Sequence, residues 1–183
     1  MPSPALAPAV FLDRDGTLME EVDYCRDPAK VRLLPGVIAG LARLKAAGFR
    51  AVIITNQSGI GRGRITEVEY AAVHARLLAL IGPGLIDATY YCPDAPDHPS
   101  THRKPLPGMV HEAARDLGLD LGRSWLIGDK ASDIQCGLNA GVQPILVKTG
   151  YGARALPAGA VGVAEDFAGA IDFILAASAN TRG

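Results

Sequence analysis

The chain has 183 residues, of which 49 % are apolar, and a formal net charge of −1 at pH 7. This length and apolar content suffice for one compact domain with its own hydrophobic core. The near-neutral charge argues against a nucleic-acid-binding protein, which would carry a basic surface, and no apolar run is long enough to span a membrane.

The ends of the chain and its cysteines indicate an intracellular protein. The first eight residues contain three prolines and no positively charged side chain, unlike a signal peptide. Three widely spaced cysteines do not suggest a disulfide framework. We expect a cytoplasmic monomer with a single domain over residues 1–183 and loose ends at 1–8 and 179–183.

Apolar runs alternate with segments of helical periodicity along the whole chain. Strands are predicted at residues 9–12, 51–54, 89–92, 125–127 and 144–147, with a short edge strand at 160–163. Helices are predicted at about 36–47, 66–80, 107–117 and 167–177, the second opened by a capping box of Thr66 and Glu69. This alternation predicts a single-domain α/β fold, a Rossmann-like parallel sheet in a three-layer α/β/α arrangement.

The first predicted strand ends at two carboxylates. The apolar residues 9–12 are followed by Asp13-Arg14-Asp15-Gly16-Thr17. A strand that is apolar on both faces belongs inside a parallel sheet, and ligands bind at the carboxyl ends of such strands. Two carboxylates there repel each other unless a cation or a proton relieves them, so the pattern indicates a divalent metal and an anionic substrate. The alternative is that both aspartates only form a turn.

Polar residues also follow the second predicted strand. The segment at its carboxyl end is Thr55-Asn56-Gln57-Ser58-Gly59. Hydroxyl and amide groups before a glycine can cradle a phosphoryl group with side-chain and backbone donors. The same residue types are common in ordinary turns, and by themselves they would favour that interpretation.

Two further clusters lie later in the chain. Arg103-Lys104 ends a proline-rich loop, where both cations can bind phosphate or can simply be solvated. Asp129 follows the fourth strand, and Asp133 shares its face if a helix begins there, or serves only the positive end of that helix. The combination of all four clusters near strand ends carries more weight than any one of them.

The four clusters and their order resemble the haloacid dehalogenase superfamily of phosphotransferases over roughly residues 10–150. The resemblance implies that Asp13 is the nucleophile and Asp15 the general acid–base. It implies that Thr55 and Lys104 bind the transferring phosphoryl group. It also implies a magnesium ion held by Asp13, Asp15 and Asp129, with Asp133 supporting those ligands.

These roles suit the chemistry of the residues. A carboxylate is ionised at neutral pH, so Asp13 can attack phosphorus without a base and form an aspartyl phosphate that water hydrolyses. Asp15 would protonate the leaving alkoxide and later accept a proton from the attacking water. Magnesium, Lys104 and the donors of Thr55 and Asn56 would stabilise the charge on the phosphoryl oxygens.

The spacing of the motifs leaves no room for a cap domain. Only a loop and one helix separate the first two predicted strands, and one helix, a short strand and a loop separate Thr55 from Lys104. We therefore expect an open crevice whose selectivity comes from the loops at 20–24 and 61–64. The alternative for both loops is solvated surface.

Together with Tyr90-Tyr91-Cys92-Pro93 and Pro107-Gly108-Met109, the motifs look like the capless D,D-heptose 1,7-bisphosphate phosphatases and the similar histidinol phosphatases. That resemblance implies hydrolysis of the 7-phosphate of a heptose bisphosphate. Histidinol phosphate or another small sugar phosphate is the alternative. The resemblance also implies phosphate or substrate contacts by Arg14, Glu21, Tyr24, Thr55, Asn56, Gln57, Ser58, Arg103, Lys104 and Lys130.

Two other classes of protein share this pattern. An open site would admit the phosphorylated end of a polynucleotide, but the chain lacks a basic, aromatic-lined groove. A catalytically inactive binding module on the same fold would be expected to have lost Asp13, Asp15 or Lys104, and all three are present.

The loop before Arg103 departs from the family, whose pattern implies a zinc site of Cys-x-His followed by Cys-x-Cys. This chain retains Cys92 but has Asp94, Ser100 and His102 at the other positions. Cys92, Asp94, His98 and His102 could form a mixed tetrahedral zinc site. Closed structural sites usually use only Cys and His, which weighs against zinc here. Five prolines between residues 93 and 107 would then stiffen the loop.

Overall fold

The computed structural model describes residues 6–154 and 159–180. Its centre is one sheet of six parallel strands in the order β3-β2-β1-β4-β5-β6. The strands are β1 (Ala9–Leu12), β2 (Arg50–Asn56), β3 (Ala88–Cys92), β4 (Trp125–Gly128), β5 (Gln143–Val147) and β6 (Gly162–Ala164). The strand order reverses between β1 and β4, which places the ligand crevice of such a sheet at their carboxyl ends.

Helices connect the strands, as the sequence predicts. They are α1 (Val37–Ala46), α2 (Ser58–Gly61), α3 (Glu67–Ile81), α4 (Gly108–Leu117), α5 (Ala131–Ala140) and α6 (Phe167–Asn180). Short 3-10 segments lie at Pro28–Lys30, Leu121–Arg123 and Gly152–Arg154. The predicted capping box is present at α3, where Glu69 N donates to Thr66 Oγ1 at 3.2 Å and Thr66 N donates to Glu69 Oε2 at 2.8 Å.

The sheet is covered on both faces. Val10 and Leu12 belong to the apolar cluster that contains α1, α3 and α6, whereas Ala9 and Phe11 belong to the cluster that contains α4 and α5. Successive side chains of a strand point to opposite faces, so a strand between two helical layers must be apolar at every position. This confirms the predicted three-layer parallel fold.

The carboxyl ends of the strands are open. Within 6–154 and 159–180, no inserted segment covers them as a cap, because α1 and α3 occupy the possible insertion points and pack on the sheet through Leu41 and Val73. In the same ranges no helix has both the length and the apolar content needed to cross a bilayer.

Residues 6–8 are tied to the fold, contrary to the expectation of a loose end. Ala7 N donates to Gly118 O at 3.1 Å, and Arg50 N donates to Pro8 O at 2.9 Å. The bond to Pro8 extends the pairing of β1 with β2 by one residue, and the bond from Ala7 belongs to a bridge with Leu119. The two contacts hold the segment in place. Residues 179 and 180 lie in α6, and the rest of the two predicted loose ends, 1–5 and 181–183, lies outside the described residues.

Candidate active site

The polar clusters converge at one edge of the sheet. Asp13 follows β1, Thr55 lies near the end of β2 and Asp129 follows β4. Leu12 pairs in register with Ile127, so the residues after them meet, and Asp13 N donates to Ile127 O at 2.9 Å. Adjacent parallel strands therefore fix the Asp13 carboxylate at the switch point.

Lys104 reaches into this point from the proline-rich loop. Its Nζ lies 2.6 Å from Asp13 Oδ1 and 2.6 Å from Asp133 Oδ1, and it donates to Ile54 O at 3.0 Å. The Lys104 side chain is only 2 % exposed. Burial by itself would lower the pKa of Lys104, but Asp13 and Asp133 raise it above its ordinary value. A permanent positive charge therefore stands beside Asp13.

Three buried carboxylates lie close together at this point, and two of them pair with Lys104. Asp13, Asp129 and Asp133 each offer one oxygen, and these oxygens all lie within 4.8 Å of one another. Burial raises the pKa of Asp13, although Lys104 opposes the shift. Burial and the neighbouring Asp13 raise the pKa of Asp129 to about 7. Such a cluster of acids is stabilised by a cation.

The donor set fits a divalent metal ion. Asp129 Oδ2 accepts from Tyr151 N at 2.8 Å, whereas its buried Oδ1 has no hydrogen-bond partner within the described part of the chain. Buried polar atoms are normally paired, so this oxygen indicates a missing partner. Hard divalent cations such as magnesium bind carboxylate oxygens in this way.

The structure brings together only part of the predicted magnesium set. The Asp15 carboxylate lies outside the trio of Asp13, Asp129 and Asp133. It accepts instead from Arg14 Nε and Nη2, both at 3.0 Å, and from Gln57 Nε2 at 2.9 Å. Asp133, which the sequence assigned to a supporting position, lies within the trio because the first turn of α5 points into the site, where its oxygens also meet Lys104 Nζ at 2.6 Å and Lys130 N at 3.0 Å.

The segment after β5 closes the site. It was not identified as part of the site from the sequence. Gly16 and Gly150 have φ of +84° and +54°, and a Cβ on either would collide with Asp129 Oδ2. Thr149 Oγ1 donates to Gly16 O at 2.6 Å. Thr149-Gly150-Tyr151 follows a predicted strand as the other clusters do, so its position was a usable signal.

Two connected cavities lie at this edge. The first, here the catalytic cavity, has a volume of about 40 Å³ and is lined by Asp13, Asp15, Thr55, Asn56, Lys104, Lys130, Ser132 and Asp133. The second, here the outer groove, has a volume of about 180 Å³ and shares Asp15, Asn56 and Lys130 with the first. A small polar cavity that opens into a wider groove suits a phosphoryl group attached to a larger leaving group. Ser132 was not singled out in the sequence.

The segment after β2 lines the outer groove, and its side chains also hold the catalytic residues in place. Asn56 Nδ2 donates to Lys104 O, and Lys104 N donates to Asn56 Oδ1, both at 3.0 Å. Gln57 Nε2 is 2.9 Å from both Thr55 Oγ1 and Asp15 Oδ2. The amides of Asn56 and Gln57, predicted to contact substrate, are thus engaged with Lys104 and Asp15. The Thr55 hydroxyl accepts from Gln57 and keeps its own proton to donate.

The two predicted arginine contacts differ in position. Arg14 lines the outer groove, but its side chain is 2 % exposed, binds Asp15 and lies with Cζ 5.3 Å from the ring centroid of Tyr70. Arg103 Nη1 donates to Asp94 O at 3.0 Å, and Arg103 lines neither cavity. Arg14 thus binds Asp15 beside the groove, whereas Arg103 is engaged with a loop carbonyl.

Seven predicted contacts line the outer groove: Arg14, Glu21, Tyr24, Asn56, Gln57, Ser58 and Lys130. Lys130 Nζ lies 3.1 Å from Glu21 Oε2 and 4.7 Å from the ring centroid of Tyr151. Burial would lower the pKa of Lys130, but Asp13, Asp129 and Glu21 raise it. Burial raises the pKa of Glu21, and Lys130 opposes this.

The predicted zinc ligands do not assemble. Cys92 Sγ lies 3.3 Å from Asp94 Oδ2 and 3.4 Å from Ser100 Oγ, whereas His102 Nε2 lies 3.2 Å from Glu112 Oε2 on α4. Among the described residues, which include all four zinc candidates, the cluster of Asp13, Asp129 and Asp133 is the one group of three or more potential metal ligands. Zinc is not supported, because Glu112 holds the His102 ring and hydrogen bonds close the loop.

Comparisons with known proteins agree with this site. The HAD-hydrolase-like family model matches residues 101–170. The chain is 41 % identical to the D-glycero-D-manno-heptose-1,7-bisphosphate 7-phosphatase of Thermosynechococcus vestitus, over 91 % of this chain and 95 % of that protein. It is 37 % identical to the D-glycero-beta-D-manno-heptose-1,7-bisphosphate 7-phosphatase of Bordetella bronchiseptica, over 91 % of this chain and 97 % of that protein.

Solved structures are similar as well. The D,D-heptose 1,7-bisphosphate phosphatase of B. bronchiseptica, complexed with magnesium and phosphate, superposes with a TM-score of 0.84 at 35 % identity, covering 93 % of this chain and 99 % of that one. A HAD-like phosphatase from Mesorhizobium loti gives 0.80 at 36 % identity, covering 95 % and 87 %. With this identity over most of both chains, the protein belongs to the D,D-heptose 1,7-bisphosphate phosphatase family of the haloacid dehalogenase superfamily.

Proposed function

We propose that this phosphatase removes the 7-phosphate of D-glycero-D-manno-heptose 1,7-bisphosphate through an aspartyl phosphate on Asp13. The observation that carries the proposal is the buried Asp13–Lys104 ion pair at 2.6 Å, set among three carboxylates in a cavity that opens into the outer groove. The named activity of the relatives from T. vestitus and B. bronchiseptica, which align with 91 % of this chain, supports the choice of substrate.

We propose magnesium as the metal, held by Asp13, Asp129 and Asp133. The unpaired Oδ1 of Asp129 and the proximity of the three carboxylates support this assignment. The related B. bronchiseptica structure holds magnesium and phosphate. When bound, the ion supplies positive charge that offsets the charge of the phosphoryl oxygens.

The residues of the catalytic cavity divide the reaction between them. The Asp13 carboxylate attacks phosphorus, the bond from phosphorus to the sugar oxygen breaks, and an aspartyl phosphate forms. Lys104 and the Thr55 hydroxyl lie where they can donate to the phosphoryl oxygens. Their positions are fixed before substrate arrives, since Asn56 holds Lys104 and Gln57 holds Thr55.

Asp15 is suited to carry the proton. Its carboxylate lines both cavities, so it faces the bond between the phosphoryl group and the sugar. It would give a proton to the leaving sugar oxygen and then take one from the water that attacks the aspartyl phosphate. Arg14 and Gln57 orient this carboxylate from behind, and Glu21, Tyr24 and Lys130 line the space for the sugar.

The proposal is tested by phosphate release from heptose 1,7-bisphosphate in the presence of magnesium. We expect Asp13→Asn to lower kcat by at least about 10⁴-fold, as loss of a nucleophile does. The far-UV circular dichroism spectrum should not change. Asp97→Asn, the same change at an exposed residue of the proline-rich loop, is the matched control and should leave kcat unaltered.

The same assay separates the alternative substrates. We expect a higher kcat/KM for heptose 1,7-bisphosphate than for histidinol phosphate or fructose 1,6-bisphosphate. A preference for histidinol phosphate would replace the proposed substrate, whereas turnover by Asp13→Asn would overturn the role of Asp13. The single domain over residues 1–183, the monomeric state and the cytoplasmic location remain predictions, which light scattering and cell fractionation can test.

A further inference from the structure

An aromatic stack, here the stack of Tyr70, His74 and Tyr91, joins α3 to β3 behind Arg14. The ring centroids of Tyr70 and Tyr91 lie 4.4 Å apart, and those of Tyr70 and His74 lie 5.8 Å apart with an angle of 9° between the ring planes. Tyr70, the central ring, is buried. These three residues line neither the catalytic cavity nor the outer groove. The stack can therefore influence the reaction only through a side chain that it contacts.

That side chain is Arg14. Its Cζ lies 5.3 Å from the centroid of the Tyr70 ring, which is within the range of a cation–π interaction. Burial by itself would lower the pKa of Arg14, but the neighbouring Asp15 carboxylate raises it, so the guanidinium is charged. A cation–π interaction is strongest where water is excluded, and Arg14 and Tyr70 are both buried.

The guanidinium of Arg14 has few other constraints. Nε and Nη2 bind the two carboxylate oxygens of Asp15, both at 3.0 Å. The third nitrogen, Nη1, is buried and has no hydrogen-bond partner in the part of the chain that the structure describes. Asp15 thus holds one edge of the guanidinium plane, and Tyr70 covers its face. Gln57 donates to Asp15 Oδ2 alone, so it cannot fix both oxygens.

The position of the Tyr70 ring is set from two sides. The capping box of Thr66 and Glu69 fixes the first turn of α3, and Tyr70 N donates to Thr66 O at 3.0 Å. On the other side of the ring, the Tyr91 hydroxyl donates to Glu67 Oε2 at 2.8 Å. The local signal at the start of α3 therefore determines where the ring meets Arg14.

The ring of Tyr70, and not its hydroxyl, makes the contact with Arg14. The hydroxyl oxygen is buried and has no hydrogen-bond partner within 6–154 and 159–180. A buried hydroxyl without a partner costs free energy, so this group does not explain a tyrosine here. The aromatic face is what the site uses.

We propose that Tyr70 is a positioning residue, whose ring fixes the plane of Arg14 and thereby aims the Asp15 carboxylate at the leaving sugar oxygen. This inference rests on the proposed function, because it takes Asp15 as the group that gives a proton to that oxygen. Arg14 occupies one lone pair on each oxygen of Asp15 and so sets the direction of the others. Proton transfer requires hydrogen-bond distance, so a small rotation of this plane slows it.

The test compares two leaving groups. A sugar alkoxide needs a proton as its bond to phosphorus breaks, whereas p-nitrophenolate leaves without one. We expect Tyr70→Leu to lower kcat/KM for heptose 1,7-bisphosphate by about tenfold, as loss of a buried cation–π contact would. For p-nitrophenyl phosphate, kcat/KM should fall by less than about twofold. This parameter covers the steps up to release of the leaving group and excludes the later hydrolysis of the aspartyl phosphate.

Two control variants separate the ring from the rest of the side chain and from the fold. Tyr70→Phe keeps the ring and removes only the unpaired hydroxyl, so both values of kcat/KM should equal those of the wild type. Tyr90→Leu makes the same change on the opposite face of β3, where the Tyr90 hydroxyl donates to Asp116, and should affect neither substrate. If Tyr70→Leu does not unfold cooperatively on heating, Tyr70→Met, whose flexible side chain fills irregular space, replaces it.

Asp15→Asn distinguishes failure of this inference from failure of the proposed function. It should lower kcat/KM for the bisphosphate by at least about 100-fold and that for p-nitrophenyl phosphate much less. If it lowers both equally, Asp15 does not protonate the leaving group, and the inference fails with that role. Any sugar phosphate that the wild type hydrolyses can serve in place of the bisphosphate, so the result does not depend on the identity of the sugar.

The remaining outcomes concern Tyr70 alone. If Asp15→Asn shows the difference between leaving groups and Tyr70→Leu or Tyr70→Met does not, the ring does not act through Asp15 and the inference is overturned. Equal losses for both substrates would show that Tyr70 only supports the fold. A loss of activity in Tyr70→Phe would show that the hydroxyl is used, which also contradicts the inference.

Discussion

The catalytic cavity and a surface cavity lined by residues 22–27, Lys30 and Arg64 use charge in opposite ways. At the catalytic cavity and the carboxylate cluster beside it, Asp13, Lys104, Asp129 and Asp133 are each at most 4 % exposed. In the surface cavity, Lys30 and Arg64 are exposed and have no carboxylate partner within the described residues. Charges in the first region depend on one another for stability, whereas those in the second are solvated.

The difference follows from the elements that carry the two regions. Asp13 and Asp129 stand at the ends of adjacent strands whose hydrogen bonds fix them within the core. Residues 22–30 and 62–64 lie on connections that cross the surface. Buried charge is costly and must be paired, so a change there affects folding and catalysis together. A change on the surface should affect recognition alone.

The largest change in stability is expected for Lys104→Met at pH 8 without added metal. This variant leaves Asp13 and Asp133 buried with no cation, so the free energy of unfolding should fall by about 3–5 kcal/mol. Activity should also be lost. Lys148→Met is the control, because Lys148 pairs with Glu165 at the surface and should change stability by at most about 1 kcal/mol. Urea unfolding measures the free energy of unfolding of both variants. If the two variants lost the same stability, the contrast between buried and surface charges would be contradicted.

A smaller effect is expected from Asp129→Asn. The pKa of Asp129 is raised to about 7, so its contribution to stability is present below pH 4 and is lost as the pH rises through 7. In a chelator at pH 8, the variant should therefore be more stable than the wild type by about 2 kcal/mol, and the two should converge near pH 4.

Magnesium should reverse the order of stability, so that the wild type becomes more stable than Asp129→Asn. The wild type should gain stability when the ion is added, and Asp129→Asn should gain much less. Unfolding curves at pH 8 with and without magnesium measure the change. If magnesium stabilises both proteins equally, the ion is not held by Asp129.

The smallest change in stability is expected from half-buried His74, which lies near enough to Arg14 to be affected by its charge. Burial and the charge of Arg14 lower the pKa of His74 to about 4. An unfolded histidine takes up a proton near pH 6.5, so the wild type should lose stability as the pH falls below that value. We expect His74→Gln, whose amide can still meet Thr89, to lose about 1 kcal/mol less between pH 7 and 5. An unchanged pH profile of thermal unfolding would show that His74 is solvated.

The sequence by itself determined the fold and the edge where the site lies. Residues 9–12 are apolar at every position because they lie between two helical layers, and the carboxylate pair beginning at Asp13 follows them directly. The capping box of Thr66 and Glu69 is equally local. Such features depend on neighbours a few residues away, so periodicity and residue type are sufficient to predict them.

Only the tertiary structure decided which side chains meet. Lys104 reaches Asp13 across 91 positions of sequence, and Asn56 reaches Lys104 across 48. The place of Asp133 in the carboxylate cluster, and the hydrogen bond from Arg103 to Asp94, depend on the same kind of distant partner. A strand end places a residue at the crevice, but the direction of its side chain is set by the donors and acceptors that the fold brings beside it.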